Sequence, residues 1–206
     1  MAKKDKEKII EQLYNVSVED LFKVAKSSID YYLSFNKWPK VKPIGKEAAT
    51  FVTLFEKGNL RGCIGSLKAI RPILVDVSVN AINAAFYDPR FTPLTKEELK
   101  ENEDNFEIEI SILSPLKKFE GSVKEWIEFI EKEKPGVFIQ KGIYSATFLP
   151  DVWKQLPDPF EFMNHLALKA GMNITDWVDS EKFYYYTYVF KRKWKDIPLD
   201  YSFFKE

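Results

Sequence analysis

Residues 48–67, AATFVTLFEKGNLRGCIGSL, decide the fold. Ala48 to Phe55 is rich in β-branched and aromatic residues, and Glu56-Lys57-Gly58-Asn59 carries turn chemistry. Leu60 to Leu67 resumes an extended pattern, so the stretch predicts a β-hairpin. Its second strand contains Leu60-Arg61-Gly62-Cys63-Ile64-Gly65, which holds the only cysteine of the chain between two glycines. Glycine has no Cβ and lets backbone or a ligand approach closely. Alternation along a strand puts Arg61 and Cys63 on one face, with Gly62 and Ile64 on the other.

Upstream of the hairpin, Ser17 followed by Glu19 and Asp20 reads as an N-cap with an acidic first turn. Leu21, Phe22, Val24, Ala25, Ile29, Tyr32 and Leu33 then recur at helical spacing to about Phe35. Asn36 to Gly45, with Pro39 and Pro43, reads as loop. Downstream, Pro72 opens a helix that runs to about Tyr87, and Asp88-Pro89-Arg90-Phe91-Thr92-Pro93 breaks it. Thr95 and Glu98 have the spacing of a capping box, as do Ser122 and Glu125. Phe106, Ile108, Ile110 and Ile112 alternate with polar residues as in a half-buried strand. A second hairpin is expected around Lys141-Gly142, a short helix over Pro150 to Leu156, and a longer one from Pro159 to Ala170 closed by Gly171. Glu181 to Trp194 reads as one long aromatic strand, buried on both sides. Helices and hairpins mix without βαβ alternation, so the fold class is α+β, mainly antiparallel sheets with flanking helices.

The totals limit the function. The 206 residues carry 31 Lys+Arg against 31 Asp+Glu, a formal net charge of zero. General phosphate binding draws its affinity from a basic excess, which is absent here. One cysteine and one histidine build neither an internal disulfide nor a four-ligand zinc site. No glycine-rich phosphate loop is found, so no cofactor is implied. The charged start of the chain lacks the apolar core of a secretory signal, and no apolar run is long enough to span a bilayer. The expectation is a soluble, cytoplasmic protein.

Several segments in register carry a resemblance. Leu60-Arg61-Gly62-Cys63-Ile64-Gly65, Asp88-Pro89-Arg90-Phe91-Thr92-Pro93-Leu94, the strand into Leu113-Ser114-Pro115, Thr147-Phe148-Leu149-Pro150-Asp151-Val152-Trp153, and Lys169-Ala170-Gly171 with Trp177 beyond are similar to the AMME syndrome candidate protein family. The resemblance implies a two-lobed α+β fold with a groove between the lobes. It implies a charged N-terminal extension over 1–16, one family domain over 17–194 with a smaller lobe near 116–165, and a C-terminal tail over 195–206. It also implies partners, because members often sit in genomes beside a Memo-type protein and a radical-SAM protein. Relatives often carry a second cysteine near position 167, where this chain has Ala167.

The candidate site is a cleft around the hairpin. Cys63 is the candidate nucleophile, since a thiolate beside Arg61 or Arg90 is the reactive form. Arg61, Gly62, Gly65, Asp88 and Arg90 are the candidate ligand-binding residues, the arginines for bidentate contact to a carboxylate or phosphate. The bland reading of Asp88 and Arg90 is a salt bridge that pins the loop. His165 lies on a helix with nothing in sequence to bring it to Cys63. Glu107 and Glu109 read as a solvated edge, and Lys96 to Asp104 as a solvated face. Tyr184, Tyr185, Tyr186, Tyr188 and Phe190 before Lys191-Arg192-Lys193 read as core strand rather than a stacking platform. The leading function is a ligand or modification site, with Cys63 as its catalytic residue if it is an enzyme. An adaptor that binds a partner protein through the same groove comes second, and nucleic-acid binding third.

Overall fold

Apolar alternation builds the first sheet. In the computed structural model, which describes residues 3–205, β1 (Glu47–Glu56) pairs antiparallel with β2 (Asn59–Gly65) through a turn in which Lys57 and Gly58 both take positive φ. A two-residue turn with both φ values positive matches the twist of the strands it joins. The sheet runs β2-β1-β4-β9, with β4 at Phe106–Leu113 and β9 at Thr187–Lys193. The short β3 (Arg71–Pro72) pairs with the start of β1.

On the covered face, Val52 and Leu54 of β1 and Phe106, Ile108, Ile110 and Ile112 of β4 are fully buried. They form one core with α2 (Val18–Phe35), α3 (Ile73–Phe86) and Ile10 and Tyr14 of α1 (Lys3–Tyr14). Ser17 caps α2 by accepting from the Asp20 N–H, as its spacing predicts. The chain divides into two compact units, and this core belongs to the first, which comprises the residues up to Leu113 and those from Tyr188 on.

The second unit, Ser114–Thr187, has its own sheet in the order β5-β8-β6-β7. These strands are β5 (Lys117–Lys118), β6 (Gly136–Lys141), β7 (Tyr144–Phe148) and β8 (Glu181–Tyr185). With α5 (Val123–Glu133) and α6 (Pro159–Lys169) they enclose Trp126, Ile130, Val137, Ile139, Trp153, Phe162 and Leu166. Trp153 and Phe162 stack at 3.7 Å. Ala167 is fully buried in this core. Ser122 and Glu125 form the expected capping box at the start of α5.

Two strand expectations are corrected. Residues 181–193 hold two strands in two sheets, and Trp194 begins a 3-10 turn: β8 pairs with β6, and β9 lies beside β4. Between them Tyr186 leaves both ladders and bonds Ser114, donating its N–H to Oγ and accepting from the Ser114 N–H. A continuous run of aromatics reads alike in one strand or two. Within its strands only Tyr185 and Phe190 are buried among the aromatics, so it is not a strand buried on both sides. Further, β4 is no edge, because it lies between β1 and β9; Glu107 sits on its polar face and pairs with Lys191 at 3.0 Å. Among the described residues no helix is long and apolar enough to cross a membrane.

Candidate functional site

β2 is the outer strand of its sheet, so one side of its backbone has no strand neighbour. At Cys63 that side is filled by side chains. The buried Asp88 carboxylate accepts the Cys63 N–H at 2.9 Å, and Arg90 donates from Nη2 to the Cys63 carbonyl at 3.2 Å. Asp88 and Arg90 are themselves paired: Nε donates to Oδ1 at 2.9 Å, Nη2 to Oδ2 at 2.6 Å, and the Arg90 N–H to Oδ1 at 3.1 Å. Pro89 between them fixes the turn. The pair thus substitutes for a neighbouring strand at one residue.

The electrostatics follow from this pairing. The side chain of Asp88 is 1% exposed and that of Arg90 is 54% exposed. The Arg90 guanidinium, helped by the N–H groups of Cys63 and Arg90, holds the Asp88 carboxyl well below the usual carboxylate range, against its burial. Arg90 is held above its ordinary value by the same contact.

The hairpin register supplies the third fixing. β1 and β2 pair regularly from Glu56↔Asn59 to Phe55↔Leu60, then shift to Leu54↔Gly62, which leaves Arg61 as the extra residue of a bulge. In an unshifted hairpin Cys63 would lie opposite Val52, on the core face. The bulge brings it opposite Thr53, whose Oγ1 donates to the sulfur at 3.2 Å. The sulfur-bearing residue is only partly buried.

The bulge also overturns the simple alternation of Arg61 with Cys63. Arg61 donates from Nε and Nη2 to the Glu98 carboxylate and from Nη2 to the Thr92 carbonyl at 2.9 Å. The Glu98 hydrogen bond raises its guanidinium further, against burial. Nη1 of this 92% buried residue (8% exposed) has no protein partner. The Phe91 ring lies within cation–π range of both guanidiniums, 5.9 Å from Arg61 and 5.5 Å from Arg90.

The two glycines have packing reasons. A Cβ on Gly62 would fall 2.1 Å from the Ala84 carbonyl of α3, and one on Gly65 2.2 Å from the Phe51 ring. β2 therefore lies directly on α3, and the Phe51 ring of β1 covers its end.

A family model described as AMMECR1 matches residues 22–191. The chain belongs to the AMMECR1 family. Protein MK0488 of Methanopyrus kandleri is 34% identical over 195 residues, 88% of this chain and 91% of its own. Protein NEQ441 of Nanoarchaeum equitans is 34% identical over 171 residues, 78% of this chain and 91% of its own. Among solved structures, that of uncharacterized protein PH0010 from Pyrococcus horikoshii is similar at a TM-score of 0.67 and 30% identity, covering 88% of this chain and 94% of that one.

In this AMMECR1-family chain Asp88 and Arg90 meet the Cys63 backbone and Arg61 shares the Phe91 ring with Arg90, while Gly62 and Gly65 lie on the same strand but face Ala84 and Phe51. His165 lies exposed on α6 of the second unit, 3.8 Å from Glu161. Three participants escape a reading of the sequence. Thr53 enters only because of the bulge. Phe91 stands in the motif with no chemistry of its own to mark it. Glu98 was read as half of a capping box; Thr95 does accept its N–H, yet its carboxylate turns to Arg61 instead of back to the cap. The run Lys96 to Asp104 is therefore not wholly a solvated face. A second polar cluster was also missed. Fully buried Asp76 of α3 accepts from Thr50, Ser66, Arg71 and Asn80, tying the end of β2 to the helix. Among the described residues no group of His, Cys, Asp and Glu is arranged to hold a metal.

Proposed function

We propose that the protein holds Cys63 as a reactive thiol in a ligand or residue-modification site, with Asp88 and Arg90 positioning it. The observation that carries this reading is the convergence of three side chains on one partly exposed cysteine. Asp88 fixes its N–H, Arg90 its carbonyl and Thr53 its sulfur. A preorganised reactive group held by locked neighbours is what a site requires, whereas a cysteine that only fills space needs none of it.

The ligand chemistry follows from the donors that remain. Arg90 and Arg61 each face one carboxylate, so the neighbourhood is nearly charge-balanced and a bare anion gains little there. Arg90, half exposed, keeps Nη1 outside its salt bridge and is the donor a ligand can reach, whereas the unpartnered Arg61 Nη1 is sealed from solvent. A ligand with one or two oxygen acceptors beside an electrophilic carbon suits this set.

Alkylation tests the reading. Iodoacetamide forms one sulfur–carbon bond, iodide leaves, and the thiol proton passes to water. The folded protein should label at Cys63 faster than the urea-unfolded chain at neutral pH, and Cys63→Ser should not label. Folded protein that stays unlabelled for hours while the unfolded chain reacts overturns the reactive-thiol reading.

A further inference from the structure

A different surface of the first unit carries exposed aromatic rings held rigid. Trp38 stacks on Tyr87, centroids 5.9 Å apart and planes 21° apart, and the two are 45% and 51% exposed. Tyr32 of α2 packs edge-on against both rings, and its hydroxyl hydrogen-bonds that of Tyr87. Rings at the ends of α2 and α3 are thereby locked to the loop between α2 and β1. The rings stabilise one another yet leave about half their surface in water, and Trp and Tyr are the residues that anchor interfaces.

The same loop is strongly cationic. Residues 36–46, NKWPKVKPIGK, contain four lysines and no carboxylate. Lys37, Lys40, Lys42 and Lys46 are exposed, and none forms an ion pair among the described residues. The Lys205 N–H donates to the Lys40 carbonyl, which places a fifth lysine beside them. Lys37 is close enough to the end of α2 to answer its dipole, a field that fades within a turn, and Lys42 donates to the Ser202 carbonyl at 2.8 Å, which leaves the side chains of Lys40 and Lys46 without a role in the fold. Asp30, the nearest acid on α2 to this surface, is engaged by the Tyr201 hydroxyl.

We propose that this surface binds an extended acidic segment of a partner protein, with proline or aliphatic side chains against Trp38 and Tyr87 and carboxylates on the lysines. Exposed aromatic pairs are the usual seats for extended proline-containing chains. Complementary charge fixes register and speeds encounter. A nucleic acid fits less well. Single-strand binders offer free ring faces to successive bases, whereas these two rings cover one another, and the chain has no net positive charge.

Trp38 makes the test direct, since Trp126, Trp153, Trp177 and Trp194 are all buried. Tryptophan emission of the full chain is followed against a Glu-Pro repeat peptide, a Gln-Pro peptide of equal length, oligothymidylate and phosphatidylserine vesicles. A saturable change with the Glu-Pro peptide alone is expected. Its affinity should fall by about tenfold in Lys37→Glu/Lys40→Glu, as for reversal of charges that complement a ligand. Added salt should also weaken it, and Cys63→Ser should leave it unchanged. Far-UV circular dichroism and thermal melting check that each variant folds. An equal response to the Gln-Pro peptide, a response to oligothymidylate or vesicles in place of the Glu-Pro peptide, or no response overturns the proposal.

Discussion

Asp88 shows what one carboxylate can hold in place. It is sealed from solvent and accepts four hydrogen bonds, and its partner Arg90 reaches into water. Asp88→Asn removes the charge from those bonds, so the cost should be about 1–3 kcal/mol, the range for weakening a buried polar group's contacts. Because the folded carboxyl binds its proton less readily than the ordinary value of 3.8, folding is favoured above that pH and loses this contribution as pH falls below it. Urea unfolding measured from neutral pH down into the acid range should therefore give a shallower decline for Asp88→Asn than for the natural chain. Equal slopes would mean that Asp88 is not the group that titrates. The motif Asp88-Pro89-Arg90 was legible as a stiff turn bearing an ion pair. Its attachment to the backbone of Cys63 was not, since no local pattern says which strand edge a loop will cover.

Elements decide how the motif is presented. Secondary structure was largely readable where periodicity and caps agree, as in α2, α5 and the alternating β4. It failed where one pattern serves two structures, as in the aromatic run that divides into β8 and β9. The bulge in β2 is the sharper case. It shifts register by one residue, which turns Cys63 from the core face to the face of Thr53. Gly62 and Gly65 then mark where the hairpin meets its surroundings. Gly62→Ala drives a methyl group into the Ala84 carbonyl of α3, which is backbone and cannot swing aside; Gly65→Ala meets a side-chain ring. Overpacking of this kind costs about 1–3 kcal/mol or more. Gly62→Ala should lower the melting temperature more than Gly65→Ala, and the reverse order in thermal melts would contradict this packing account.

For the molecule as a whole, composition and periodicity alone did not reveal two cores; only the family resemblance implied two lobes. Composition guaranteed enough apolar residues but not their division between Ile10–Ile197 and Trp126–Trp177 sets. Each core has its own helices and sheet. Phe162→Ala, which removes the ring stacked on Trp153, should cost about 3–5 kcal/mol, as truncation of a fully buried aromatic does. Hydrogen exchange should then quicken across β6 and α6 while α2 and α3 keep their protection. Loss of protection in both units together would show that they unfold as one. The second unit begins at Ser114 and ends at Thr187, between two strands that are neighbours in the first sheet, and Ser114 and Tyr186 are hydrogen-bonded across that gap. Because departure and return share a doorway this narrow, the span behaves topologically as a cassette. Cut out and bridged by a turn of about two residues, it would leave β4 and β9 joined as an ordinary hairpin.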